Sequence, residues 1–175
     1  LWFTSDRIAY DLQGPCYIVH DDVIDRVTRQ ARSLEEDFAY LDELEALPWV
    51  NDLSAADRRA IAVKLIRIHF FDALAARLQS DEALRANRFK LLALLDRLQR
   101  FSPGVLSMLS LADRSVIDEL KAPQPTAARL EALMGLRQKY RSVRALLTRN
   151  PLLIAHRQAP LRTLGAGFRV ILDSR

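Results

Sequence analysis

Residues 54–78, "SAADRRAIAVKLIRIHFFDALAARL", decide how this chain folds. Wound at 3.6 residues per turn, Ile61, Val63, Leu65, Ile66, Ile68, Phe70, Phe71, Leu74 and Leu78 fall on every face of a helix. A helix that is apolar all round must be surrounded by other elements, so it belongs at the centre of a bundle. Its start is marked by "SAAD" at 54–57, which has the spacing of a capping box with Asp57 in place of the usual Glu or Gln. His69 reads as a satisfied core histidine within this buried helix.

The elements on either side read as its partners. After the short β-like run "CYIVH" at 16–20, Asp21 or Asp22 offers an N-cap for a helix reaching about Leu47, where Pro48 stops it. Its seam of Ile24, Val27, Ala31, Leu34, Phe38 and Leu41 alternates spacings of three and four. Downstream, Ser80, Asp81 and Glu82 open a helix over 81–101 with Leu84, Leu91, Leu95 and Leu98 on one face. Ser102 before Pro103, and then Asp113, read as N-caps of two short helices. "APQPT" at 122–126 is a weak internal linker, and Thr126 caps a helix running to about Asn150 ahead of Pro151. The tail from Pro160 mixes helical spacing with strand composition. The expected architecture is all-α: one domain over 1–175, a bundle of about five to seven helices around the central helix near 54–78.

Composition supports that size of core. The chain has 175 residues, half of them hydrophobic, with five Gly and seven Pro. The net charge of +4 hides an asymmetry: residues 1–57 hold 13 acids and 4 bases, whereas 58–175 hold 9 acids and 22 bases. Arg outnumbers Lys 22 to 4, which suits bidentate pairing with carboxylate or phosphate and is also what a GC-rich bacterial genome produces. Cys16 is alone, which excludes an intramolecular disulfide and a cysteine zinc site and agrees with a cytoplasmic location. No apolar run approaches the roughly 18 residues that span a bilayer. A first residue of Leu rather than Met agrees with one piece of a larger bacterial protein.

"HDDVID" at 20–25 resembles the first aspartate-rich motif of trans-prenyltransferases and related class I terpene enzymes. The resemblance implies that Asp21, Asp22 and Asp25 present carboxylates to Mg²⁺ ions bound to a diphosphate, and the i, i+4 spacing of Asp21 and Asp25 puts both on one helix face. It covers six residues, and no second motif of that kind follows; "NDLSAADR" at 51–58 places Asp57 one residue too early. Acids at a helix start are also what capping and the helix dipole select, and that is the role expected here, with no metal or cofactor. A Mg²⁺-dependent enzyme acting on a diphosphate is an alternative. His20, His69 and His156 lack zinc spacing, Cys16 with His20 reads as a buried thiol rather than a nucleophile, and no nucleophile-elbow, dinucleotide or phosphate-loop pattern occurs.

The basic C-terminal section is the more informative feature. Residues 126–175 hold ten Lys and Arg against two acids, and on a continuous helix Arg137, Arg141 and Arg144 lie within about 60° of one another. They flank an apolar face of Leu133, Leu136, Tyr140, Val143 and Leu147. These three arginines are the expected partner-binding residues of a helical protein–protein interaction module, an adaptor, regulatory or scaffold domain that meets an acidic protein. A nucleic-acid-binding role for the same face is the alternative, although no recognised nucleic-acid-binding signature accompanies it. Pairing with the chain's own acidic helix, through Glu35, Glu36, Asp37, Asp42, Glu43 and Glu45, is the purely structural use of the same charges.

Overall fold

A computed structural model describes residues 33–139 and 142–161, and these form an all-α multi-helix bundle. The "CYIVH" run, the Asp21 and Asp22 cap sites and most of the tail lie outside the described residues.

Ser33 starts the first described helix. Its hydroxyl accepts from the Glu36 backbone N–H at 3.2 Å while Glu36 accepts from the Ser33 N–H at 2.8 Å, a full capping box. Extended backbone at Ser33 (φ −67°, ψ 160°) means that the helix expected to run unbroken to Leu47 has a start here. A serine that bonds its own helix terminus offers the backbone an alternative to helical continuation. α1 (Leu34–Phe38) passes through Ala39, still in helical conformation, into α2 (Tyr40–Ala46). Leu47 turns extended, and Pro48 then opens the short α3 (Pro48–Asn51) as its first residue.

Ser54 caps the central rod, accepting from Asp57 N–H at 3.2 Å and donating its hydroxyl to Asp57 Oδ2 at 2.6 Å. The rod runs without a break through α4 (Ala55–Lys64), a wide π turn (Leu65–Phe70) and α5 (Phe71–Ala75). Ala62, Ile66, Phe70, Phe71 and Leu74 are fully buried, which places the rod in the core as expected. Burial is not uniform, however: Lys64, Ile68, His69 and Asp72 are exposed. The π turn spaces buried Ile66 from the buried pair Phe70 and Phe71 by four and five residues rather than three and four. Ile68 and His69 lie on the outer side, and His69 lies against the Tyr40 ring instead of inside the core.

α6 (Asp81–Phe101) has the boundaries the sequence implies, with Ser80 accepting from Ala83 N–H at 3.2 Å. It buries Leu84, Leu91, Leu94, Leu95 and Leu98. Ser102 then ends α6 rather than capping the next helix, and Gly104 takes the left-handed conformation (φ 79°) that leads into a 3₁₀ turn at Val105–Met108. α7 (Leu111–Lys121) is capped by Ser110, with Asp113 three residues on as its capping-box partner and not as the cap itself.

The 122–126 connection is held against α6. Arg88 donates to the carbonyls of Leu120 and Ala122 at 3.0 and 2.6 Å, and Asp81 accepts from the Ala127 N–H at 2.7 Å. α8 (Ala127–Arg137) begins at Thr126 as expected and packs along α7, but it stops at Arg137. The helix expected to reach Asn150 is replaced, after Gln138 and Lys139, by a separate α9 (Val143–Leu146) that Ser142 caps, followed by a 3₁₀ turn at Pro151–Leu153. An isolated antiparallel bridge joins Thr148 to Ser110, and Leu111 N–H donates to Leu147 carbonyl at 2.8 Å, tying this segment to the start of α7. An apolar cluster runs from Leu34 to Met134. Among the described residues no helix is long and apolar enough to cross a membrane.

Candidate interaction surface

The basic C-terminal section sorts into inward and outward members according to what α7 offers it. α7 carries Asp113 on its first turn, and the Ser110 cap holds that carboxylate down in the interior, where Asp113 is only 3% exposed. A buried carboxylate requires cationic partners. Arg137, the last residue of α8, supplies one: its Nε donates to Asp113 Oδ1 at 2.8 Å and its Nη2 donates to the Arg67 carbonyl. The Arg137 guanidinium carbon also lies 4.1 Å from the centroid of the Phe71 ring, a cation–π contact. Arg67, from the π turn, approaches the other carboxylate oxygen at 3.7 Å. Burial lowers the Arg67 pKa from the usual arginine value; Asp113 opposes that shift and Arg137 reinforces it.

Arg137 is therefore a strut between α8, α7 and the central rod, and its guanidinium faces inward. Arg144 stands exposed on α9, with Nη2 donating to Ser115 Oγ at 3.1 Å, and Arg141 lies outside the described residues. The break after α8 removes the continuous helix on which Arg137 and Arg144 would have shared one face.

Other basic residues of this section also pair with α7. Arg129 reaches Glu119 at 3.0 Å and Arg149 reaches Asp118 at 2.7 Å, where Arg114 also arrives at 3.3 Å. The acidic helices pair elsewhere, with the middle of the chain: Glu35 with Lys90, Asp37 with Arg77, and Asp42 and Glu45 with Arg97. Charge does meet charge within the chain, but Arg129, Arg137 and Arg149 find α7 rather than α1 and α2.

What remains outward is of mixed character. Residues 132–161 contain no Asp or Glu. Within them Leu136 is 48% exposed, Val143 67% and Leu152 88%, and Lys139, Arg144 and Arg157 are exposed as well. The sequence points to cations here but not to which of them are outward, because the acids that claim Arg129, Arg137 and Arg149 come from an element that packs against them only after folding.

Asp21, Asp22 and Asp25, with Cys16 and His20, lie outside the described residues. Among the described residues no three His, Cys, Asp or Glu side chains converge as a metal site would require. His156 sits in a turn, its Nδ1 accepting from Gln158 N–H at 3.1 Å. Among the described residues the Tyr40 hydroxyl and Arg59 Nε are buried without a hydrogen-bond partner. No protein-family model matches the chain, and no curated protein or solved structure matches it either.

Proposed function

We propose that this chain is a helical protein–protein interaction module that receives an acidic, partly apolar segment of another protein on its C-terminal surface. The observation that carries the reading is the acid-free stretch 132–161, which exposes Leu136, Val143 and Leu152 together with Lys139, Arg144 and Arg157. Exposed large apolar side chains rimmed by charge are characteristic of surfaces that take a partner. Unopposed cations select an acidic one and accelerate its approach. The binding residues in this reading are Arg144 with Lys139, Arg157 and the three apolar side chains, while Arg137 ties α8 to α7 and the central rod.

The test is a comparison of proteins captured from the source cell by the wild-type chain and by two variants. One carries Lys139→Glu, Arg144→Glu and Arg157→Glu, and the other carries Val143→Ser and Leu152→Ser. The reading expects a partner retained by the wild type at low salt, weakened at high salt, and lost from both variants while circular dichroism stays unchanged. Capture that is indifferent to both variants overturns it. A nuclease-sensitive catch lost only from the charge variant would instead favour nucleic acid.

A further inference from the structure

From the outer face of α6 we infer that two copies of this chain associate through that helix, antiparallel and about a two-fold axis at the level of Leu91. The surface is separate from the C-terminal one, and the inference does not depend on it.

On α6 the exposed residues are Glu82, Arg85, Ala86, Phe89, Lys90, Ala93, Asp96 and Arg100. At about 100° per residue, all of these except Lys90 fall within a strip about 100° wide centred near Phe89. The flanks of the strip are already occupied. On one side Lys90 and Arg97 turn to the acids of α1 and α2, and on the other Arg88 binds the carbonyls that end α7. Between them Phe89 stands 82% exposed, in a helix whose other phenylalanine, Phe101, packs against the core. An aromatic side chain so exposed forfeits a large hydrophobic gain unless something covers it.

The charges along the strip identify the cover. A two-fold axis lying across the helix brings together residues equally far above and below it on the same lateral side, as an isologous interface requires. With the axis at Leu91, Glu82 faces Arg100 of the second copy, and Arg100 faces the second copy's Glu82. Arg85 meets the second copy's Asp96 diagonally, on the opposite edge of the strip. Phe89 is set against the small Ala93 of the second copy, and the two Phe89 side chains fall on either side of the axis, about 6 Å apart along the helix, so that each large side chain enters the space over a small one. Both ion pairs and the knob-in-hole contact arise twice from one operation. Glu82 and Arg85 pair with each other at 3.7 Å, both more than two-thirds exposed, so little is lost when they exchange partners. The 21 residues of α6 span about 30 Å, and one helix face of that length lies toward the small end of specific interfaces. The association is accordingly concentration-dependent.

The mass of the chain is measured by light scattering and analytical ultracentrifugation over a range from about micromolar to hundreds of micromolar. A monomer–dimer equilibrium is expected in the wild type. Phe89→Glu should give a monomer at every concentration with unchanged circular dichroism, since Phe89 projects away from the core. Glu82→Arg and Arg100→Glu, each alone, should weaken self-association at least tenfold. Mixing those two variants in equal amounts should restore dimers. The arginine introduced at position 82 of one copy then meets the glutamate introduced at position 100 of the other, and the unaltered Arg100 and Glu82 pair at the opposite end. A wild type that remains monomeric throughout, or a dimer indifferent to Phe89→Glu, overturns the proposal. Failure of the mixture to associate better than either variant overturns the antiparallel register.

Discussion

Arg137 Nε donates to Asp113 Oδ1 across 2.8 Å, joining the last residue of α8 to the first turn of α7 with both side chains withdrawn from solvent. Asp113 also accepts from the Ser110 N–H and faces Arg67, so one carboxylate completes the capping box of α7 and neutralises charge contributed by two other elements. The arrangement depends on every member, because a buried ion is costly once its partner is removed.

Asp113→Ala should therefore destabilise the fold by about 3–5 kcal/mol, since it leaves two partly buried guanidinium groups without this counter-ion and removes the reciprocal half of a capping box. Arg137→Met, which keeps an apolar stem beside Phe71 but leaves buried Asp113 with only the longer contact to Arg67, should cost a comparable amount. Arg144→Glu on exposed α9 should cost less than about 1 kcal/mol. Urea unfolding of the three variants checks the order. Equal, small losses at all three would place Arg137 on the surface after all.

The central rod supplies the second prediction. Ile66 and Phe70 are fully buried, and Phe70 packs edge-on to Phe71 with ring centroids 5.6 Å apart. Truncation to Ala at either position leaves a cavity and should cost about 2–5 kcal/mol. Ile68→Ala, two residues along but 46% exposed, should cost well under half of that. The all-round apolar pattern of the rod assigns all three to the interior, so the same experiment tests the outward placement of Ile68.

That contrast separates what was legible before folding from what was not. Ser80, Ser54 and Thr126 announce helix starts through local chemistry, and the leucines of α6 mark its buried face. Local signals fail where two of them compete. Ser33 caps a helix start inside a seam that reads as continuous, Ser110 takes the cap that Asp113 also offers, and the π turn shifts the register of the rod from within. The inward turn of Arg137 had no local signal at all, because its attraction is to a carboxylate 24 residues away in sequence. Outward charge was therefore the least legible property, and it is the one on which the candidate surface depends.

Tyr40 gives a prediction in pH. Its hydroxyl is buried with no hydrogen-bond partner among the described residues, and burial, reinforced by the Asp37 carboxylate, pushes its pKa up to about 12. A phenol that titrates near 10 when unfolded and higher when folded contributes stability that is fully present below pH about 10 and is lost as pH rises toward 12. Tyr40→Phe removes the uncompensated hydroxyl and that titration together. The variant should be at least as stable as the wild type at neutral pH and should lose less stability between pH 10 and pH 12. A clear loss of stability at neutral pH would mean that the hydroxyl has a partner.

The last prediction asks what holds the acidic helices α1 and α2 to the body. Arg97 grips Glu45 with two bonds of 2.9 Å and reaches Asp42 at 2.8 Å, and these contacts raise its pKa above the usual arginine value, the Glu45 hydrogen bond most of all. Beneath them Leu34, Phe38 and Leu41 are buried in the main apolar cluster. Surface ion pairs typically contribute about 1 kcal/mol or less and weaken with salt, whereas truncating a buried leucine costs about 2–5 kcal/mol. Leu41→Ala should accordingly release α1 and α2 far more than Arg97→Ala, read as faster amide hydrogen exchange across residues 34–46 while α6 and α7 stay protected. The effect of Arg97→Ala should shrink further in about 0.5 M salt, and that of Leu41→Ala should not. If Arg97→Ala proved the more disruptive at both salt concentrations, the acidic helices would be held by charge, and the apolar seam they share with the rod would be secondary.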